Sequence, residues 1–138
     1  MSELQWDGSL ETGFEAVDNQ HRTLICIFNE FEEGLRDDRD RHAVGELLVN
    51  LCDYVATHFA DEEALMERFR YPQAQMARHK EEHRMLSERT RELALAHRAG
   101  QEAASELATL LRGWLVDHIL HVDRRLVTHI RLVMAAGG

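Results

Sequence analysis

Residues 76–93 read MARHKEEHRMLSERTREL, and within them Met76, His79, His83, Leu86, Thr90 and Leu93 recur at alternating steps of three and four. That is the period of one face of an α-helix. Two histidines on a stripe otherwise built for a core are costly, because each buried imidazole has two ring nitrogens to satisfy. Pro72, just upstream, suits the first turn of this helix, which runs to about Arg98, and Gly100 suits its stop.

The same period recurs on both sides. Upstream, a helix from about Asp18, a candidate N-cap, to Arg36 places His21, Leu24, Ile25, Phe28 and Leu35 on one face. A second, from about His42 to Phe69, carries Leu47, Leu48, Leu51, Val55, His58, Glu62 and either Leu65 or Met66. The charged run 36–41 between them reads as a solvated loop. Downstream, a fourth helix from near Gln101 carries Leu107, Leu110 or Leu111, Trp114, Leu115 and His118, and residues from about Arg124 to Ala135 form a helical tail. Short breaks between long amphipathic helices favour antiparallel neighbours. The expected fold is all-α: an up-down-up-down four-helix bundle forming a single domain over 1–138. Within it, 1–17 is an N-terminal arm, about 18–123 the bundle and 124–138 the tail.

Composition agrees with one globular, helical domain. The chain has 138 residues, 44% hydrophobic and 30% charged, with a single proline. A formal charge of −9 argues against gripping nucleic acid or an anionic membrane by bulk electrostatics. The longest apolar runs, such as 24–28, are far too short to insert in a membrane, and the first residues lack the basic start and apolar core of a signal peptide. A cytoplasmic location is expected, with Cys26 and Cys52 as reduced, semi-buried thiols.

The chain holds nine histidines, and their positions point to metal chemistry. His58 and Glu62, and likewise His79 and His83, stand at i and i+4, a spacing that brings both side chains of a pair to one point above a helix. His118 and Asp123 are five apart, which on a straight helix leaves them diverging by roughly 140°. Either the fourth helix loosens there in π fashion, as helices do at functional sites, or it ends and turns Asp123 inward. His21 adds a donor from the first helix. This nitrogen and oxygen set suits iron, and equally zinc, manganese or cobalt.

The elements Trp6, Gly13 to His21, His58-Phe59-Ala60-Asp61-Glu62-Glu63, Tyr71-Pro72, His79-Lys80-Glu81-Glu82-His83 and Trp114 to Ile119 with Asp123 resemble the hemerythrins, and specifically their single-domain bacterial members. The resemblance covers about Trp6 to Arg124 and fills every ligand position of the family pattern. It implies a non-haem di-iron centre, oxo- or hydroxo-bridged. His79, His83 and His118 would lie on one iron, His21 and His58 on the other, and Glu62 and Asp123 would bridge both. One coordination position is then left open, on the ion with two histidines. The implied function is reversible O2 binding for storage, delivery or transport. Sensing of O2, NO or redox state through a protein partner, or iron or peroxide handling, are the alternatives. By the same resemblance Leu24, Phe59, Trp114, Leu115 and Ile119 line the O2 pocket. None of the five is an acid, hydroxyl or amide, whereas an oxidase needs a proton donor beside its oxygen. No catalytic residue and no enzymatic turnover are expected.

Other readings explain less. His79 to His83 also fits H-x-x-E-H, an inverted zinc-peptidase pattern, but this leaves the remaining candidate ligands idle. The ferritin-like di-iron proteins use Glu-x-x-His, which occurs nowhere here. His42, His97, His121 and His129 fall outside the constellation and read as surface histidines. Asp61 and Glu63 read as a solvated face beside Glu62, with outer contact to a ligand as the lesser alternative.

Overall fold

Short connections fold each amphipathic helix back on its sequence neighbours, against which it buries much of its apolar stripe. The computed structural model describes residues 3–37 and 40–137. Its helices are α1 (Glu15–Arg36), α2 (Arg41–Arg68), α3 (Gln73–Arg98), α4 (Ala104–Asp117) and α5 (Arg124–Ala135), and a π-helical turn, His118–Asp123, joins the last two. No strand occurs among the described residues. α1 packs on α2 and α4, and α3 on α2 and α4, which closes the four-helix up-down-up-down bundle. Of the charged loop, Asp38 and Arg39 lie outside the described residues.

Two expectations about helix ends need correction. α1 begins three residues before Asp18, and Asp18 does not cap it. The Asp18 carboxylate is buried and instead accepts from the Thr12 amide (2.9 Å), the Thr12 hydroxyl (2.7 Å) and the Gly13 amide (3.1 Å), tying the arm down over the helix. α4 begins at Ala104 rather than near Gln101, because Gly100 and Gln101 are used to close α3. Gly100 has φ +97°, its amide donates to His97 O and that of Gln101 to Ala96 O, a Schellman cap that a β-carbon would strain. Arg70 closes α2 in the same way at φ +52°, with the Tyr71 amide on Met66 O at 2.9 Å.

The apolar stripes settle into one large cluster and two small ones. The large cluster fills the bundle from Phe31, Leu48 and Leu107 to Phe59 and Leu115. At the other end α5 folds Leu126 and Ile130 onto Met66 and Tyr71. Beside α1, arm residues Leu10, Trp6 and Leu4 cover Ile25 and Ile119. Between these clusters lies the polar core. Among the described residues, no helix is long and apolar enough to cross a membrane.

Candidate metal centre

Each helix of the bundle delivers its polar residues to one depth: α1 supplies His21, α2 His58 and Glu62, and α3 His79 and His83, while the π-helical turn supplies both His118 and Asp123. The wider turn, with one more residue than an α-helix, solves the five-residue spacing. His118 Nε2 and Asp123 Oδ1 end 3.0 Å apart. All seven side chains are buried.

Their ligand atoms form two groups that share Glu62 and Asp123, one completed by His79, His83 and His118 and the other by His21 and His58, each within 4.8 Å. The carboxylates divide their oxygens between the groups. Glu62 turns Oε1 to His83 Nε2 (3.1 Å) and His79 Nε2 (3.6 Å), and Oε2 to His58 Nε2 (3.3 Å) and His21 Nε2 (3.4 Å). Asp123 turns Oδ1 to His79 Nε2 (2.9 Å) and His118 Nε2, and Oδ2 to His21 Nε2 (2.9 Å).

Close as they are, these atoms are poorly hydrogen-bonded. Both Glu62 oxygens and the Nε2 atoms of His21 and His83 have no partner in hydrogen-bond geometry, and Glu62 is 0% exposed. His79 Nε2 and His118 Nε2 face each other at 3.2 Å, where two neutral rings cannot both present lone pairs without a shared proton or cation. A fully buried carboxylate left this way costs several kcal/mol, on the order of the penalty for an unpaired buried ion. A cation held among these atoms would remove that cost, so the donor set fits metal.

Without metal, protons take up the strain. Burial opposes charge on His21 and His79, but Asp123 and Glu62 outweigh it and raise both to about 9. Burial opposes the charge of Glu62 too, yet His58, His21 and His79 hold it well below the usual carboxylate range. Asp123, opposed by burial and by Glu62, is held low by His118 and His21.

The outer ring nitrogens show what the sequence reading missed. His83 Nδ1 donates to Glu63 Oε2 (2.9 Å) and His118 Nδ1 to Glu82 Oε1 (3.1 Å). His58 Nδ1 donates to Gln20 Oε1 (2.8 Å), and Gln20 Nε2 donates in turn to Asp61 Oδ2 (2.6 Å). A carboxylate or amide oxygen can only accept, so these bonds place the ring proton on Nδ1 and aim the Nε2 lone pair inward. Asp61 and Glu63, read first as a solvated face, therefore take the lesser alternative and support the centre from outside. Gln20 and Glu82 were not singled out at all. A polar residue next to a ligand or one turn away was the available signal, and it is ambiguous, since Gln20 serves a histidine on another helix.

The expected pocket residues split by contact. Phe59 stacks on His83 (3.9 Å between centroids) and Trp114 on His118 (4.1 Å), both against the three-histidine group. Leu24 and Leu115 belong to the large core, and Ile119 lies under the arm. The other histidines are not all on the surface as expected. His97 is buried, with Nε2 on Arg41 O (3.1 Å), pinning the end of α3 to the start of α2, and half-buried His129 donates to Phe69 O. His42 and His121 are exposed. Cys26 is exposed rather than semi-buried, while Cys52 is half-buried.

The family model described as the hemerythrin HHE cation binding domain matches residues 12–130. The chain belongs to the hemerythrin family. Bacteriohemerythrin of Stenotrophomonas maltophilia is 35% identical over 95% of this chain and 84% of its own length. That of Pseudomonas aeruginosa strain PAO1 is 34% identical over 98% and 86%. Among solved structures, wild-type hemerythrin superposes with a TM-score of 0.81 at 30% identity, covering 89% of this chain and 94% of the other. A leucine-to-alanine hemerythrin variant gives a TM-score of 0.85 at 28% identity, covering 94% and 98%. The hemerythrin domain here thus carries a histidine and carboxylate cluster able to hold metal.

Proposed function

We propose that this hemerythrin holds two irons and binds O2 reversibly at one of them, without turning it over. The observation that carries the reading is the division of the Glu62 and Asp123 oxygens between a three-histidine and a two-histidine group. Under it His79, His83 and His118 would hold one iron and His21 and His58 the other, with Glu62 and Asp123 shared between them. Bound there, two irons would supply the electrons that O2 binding requires.

The chain's own residues supply enclosure and orientation. Outer hydrogen bonds fix three of the rings with Nε2 inward. Leu24, Leu115 and Ile119 are buried and carry no proton donor, and Phe59 and Trp114 stack on His83 and His118. An apolar wall slows proton delivery, which favours release of O2 over its reduction.

Elemental analysis should find two irons per chain. Anaerobically reduced protein mixed with O2 should develop a visible absorption that disappears on deoxygenation and returns on re-exposure. One metal per chain, zinc alone from iron-replete cells, or irreversible consumption of O2 would overturn the proposal.

A further inference from the structure

The outer supports of the two histidine groups differ in charge. On the three-histidine side His83 and His118 donate to the carboxylates of Glu63 and Glu82. On the two-histidine side His58 donates to a neutral amide, Gln20, and the Asp61 carboxylate behind that amide stands one hydrogen bond further out. One outer nitrogen on each side, His21 Nδ1 and His79 Nδ1, has no hydrogen-bond partner, so the contrast rests on the other three rings. A carboxylate accepting from Nδ1–H makes the imidazole a stronger donor to whatever Nε2 holds, and an amide does so less.

We propose that Gln20 is a positioning residue that holds Asp61 off His58, so that electron donation is graded across the centre: strong on the three-histidine side, weak on the side with the open position. This rests on the di-iron reading above. The grading disfavours the ferric state where O2 would bind and favours it at the closed partner. Of the two carboxylates Glu63 acts more strongly, its side chain being 33% exposed against 44% for Glu82, so water screens it less.

The arrangement allows a test that relocates charge without adding any. The double variant Gln20→Glu with Asp61→Asn keeps an acceptor for His58 and a donor at position 61, but brings the negative charge one residue closer to the ring. Its di-iron reduction potential, followed by spectroelectrochemistry on protein with measured iron content, should fall. A tenfold gain in ferric over ferrous affinity corresponds to about 59 mV for one electron. Glu63→Gln should move the potential the opposite way, with iron affinity weakened by roughly tenfold or more. A merely structural role for these residues would lower the melting temperature or the occupancy without shifts of opposite sign. Unchanged potentials in two-iron variants, or shifts of the same sign, would overturn the proposal. If the double variant does not load, Asp61→Asn alone decides it: with Gln20 in place its shift should be smaller than that of Glu63→Gln, and an equal or larger shift would overturn the proposal. Wild-type protein holding fewer than two irons would instead remove the di-iron reading.

Discussion

Asp18 and Glu62 are both buried acids, and they do opposite work. Asp18 is fully engaged by two amides and a hydroxyl of the arm, so its burial is compensated locally. Asp18→Ala strands those donors and should cost about 2 to 3 kcal/mol, within the range for orphaning buried polar groups, while the metal content stays that of the unaltered protein. Thermal melting with metal analysis checks both halves. Glu62 is compensated by nothing but the centre it faces. Under the bridging assignment, Glu62→Ala removes an oxygen from each ion and a negative charge from between them, so it should lower occupancy more than His58→Ala, which touches one ion. Full occupancy in Glu62→Ala would refute the bridge. The difference between the two acids was not legible in the sequence. Asp18 precedes an apolar stripe as an N-cap does, and only the fold shows the chain doubling back from Thr12 to use it.

At the scale of elements, the helices and the depth at which they present their polar residues follow from spacing, because an i, i+4 pair such as His79 and His83 can face one point on a helix and nowhere else. The His118 and Asp123 pair broke that rule, and the π-helical turn is the physical answer to the violation. Less could be read where a contact crosses between elements. Gln20 on α1 orients His58 on α2, and no local pattern announces it. The arm is another such case. Leu4 is clamped by Asn29, whose Oδ1 accepts from the Leu4 amide (3.0 Å) and whose Nδ2 donates to the Leu4 carbonyl (2.9 Å), while Arg124 holds the carbonyls of Ser9 and Glu11. These ties keep Leu4, Trp6 and Leu10 over Ile25 and Ile119. Asn29→Ala should therefore raise hydrogen exchange in the arm. With water let in beside Ile119, autoxidation of the oxygenated protein should quicken several-fold. Faster exchange with an unchanged autoxidation rate would show that the arm does not guard the pocket.

For the molecule as a whole, metal and protons compete for the same buried cluster, which makes stability depend on pH in opposite senses for the two forms. In the metal-free protein, His21 and His79 titrate near 9 rather than at their ordinary 6.5. A folded-state pKa raised in this way stabilises the fold fully below the unfolded value and loses that stabilisation as pH climbs through the folded one. Glu62 and Asp123, held low, contribute stability above their ordinary carboxylate range and lose it as pH falls through their depressed values. Metal-free protein should thus be most stable near pH 5 to 6 and weaken steadily from about 6.5 to 9. Iron needs the same rings neutral, so loading at pH 7 expels protons, and rising pH tightens rather than loosens its hold. Because metal binds only the assembled site, the loaded form melts higher in proportion to the logarithm of metal excess over its dissociation constant. Melting curves of both forms between pH 6.5 and 9 check this: the metal-free melting temperature should fall across the interval while that of the loaded form holds or rises. Parallel falls in the two forms would mean that the buried histidines do not carry the protons assigned to them, and equal melting temperatures at every pH would mean that metal is not what the cluster is built to hold.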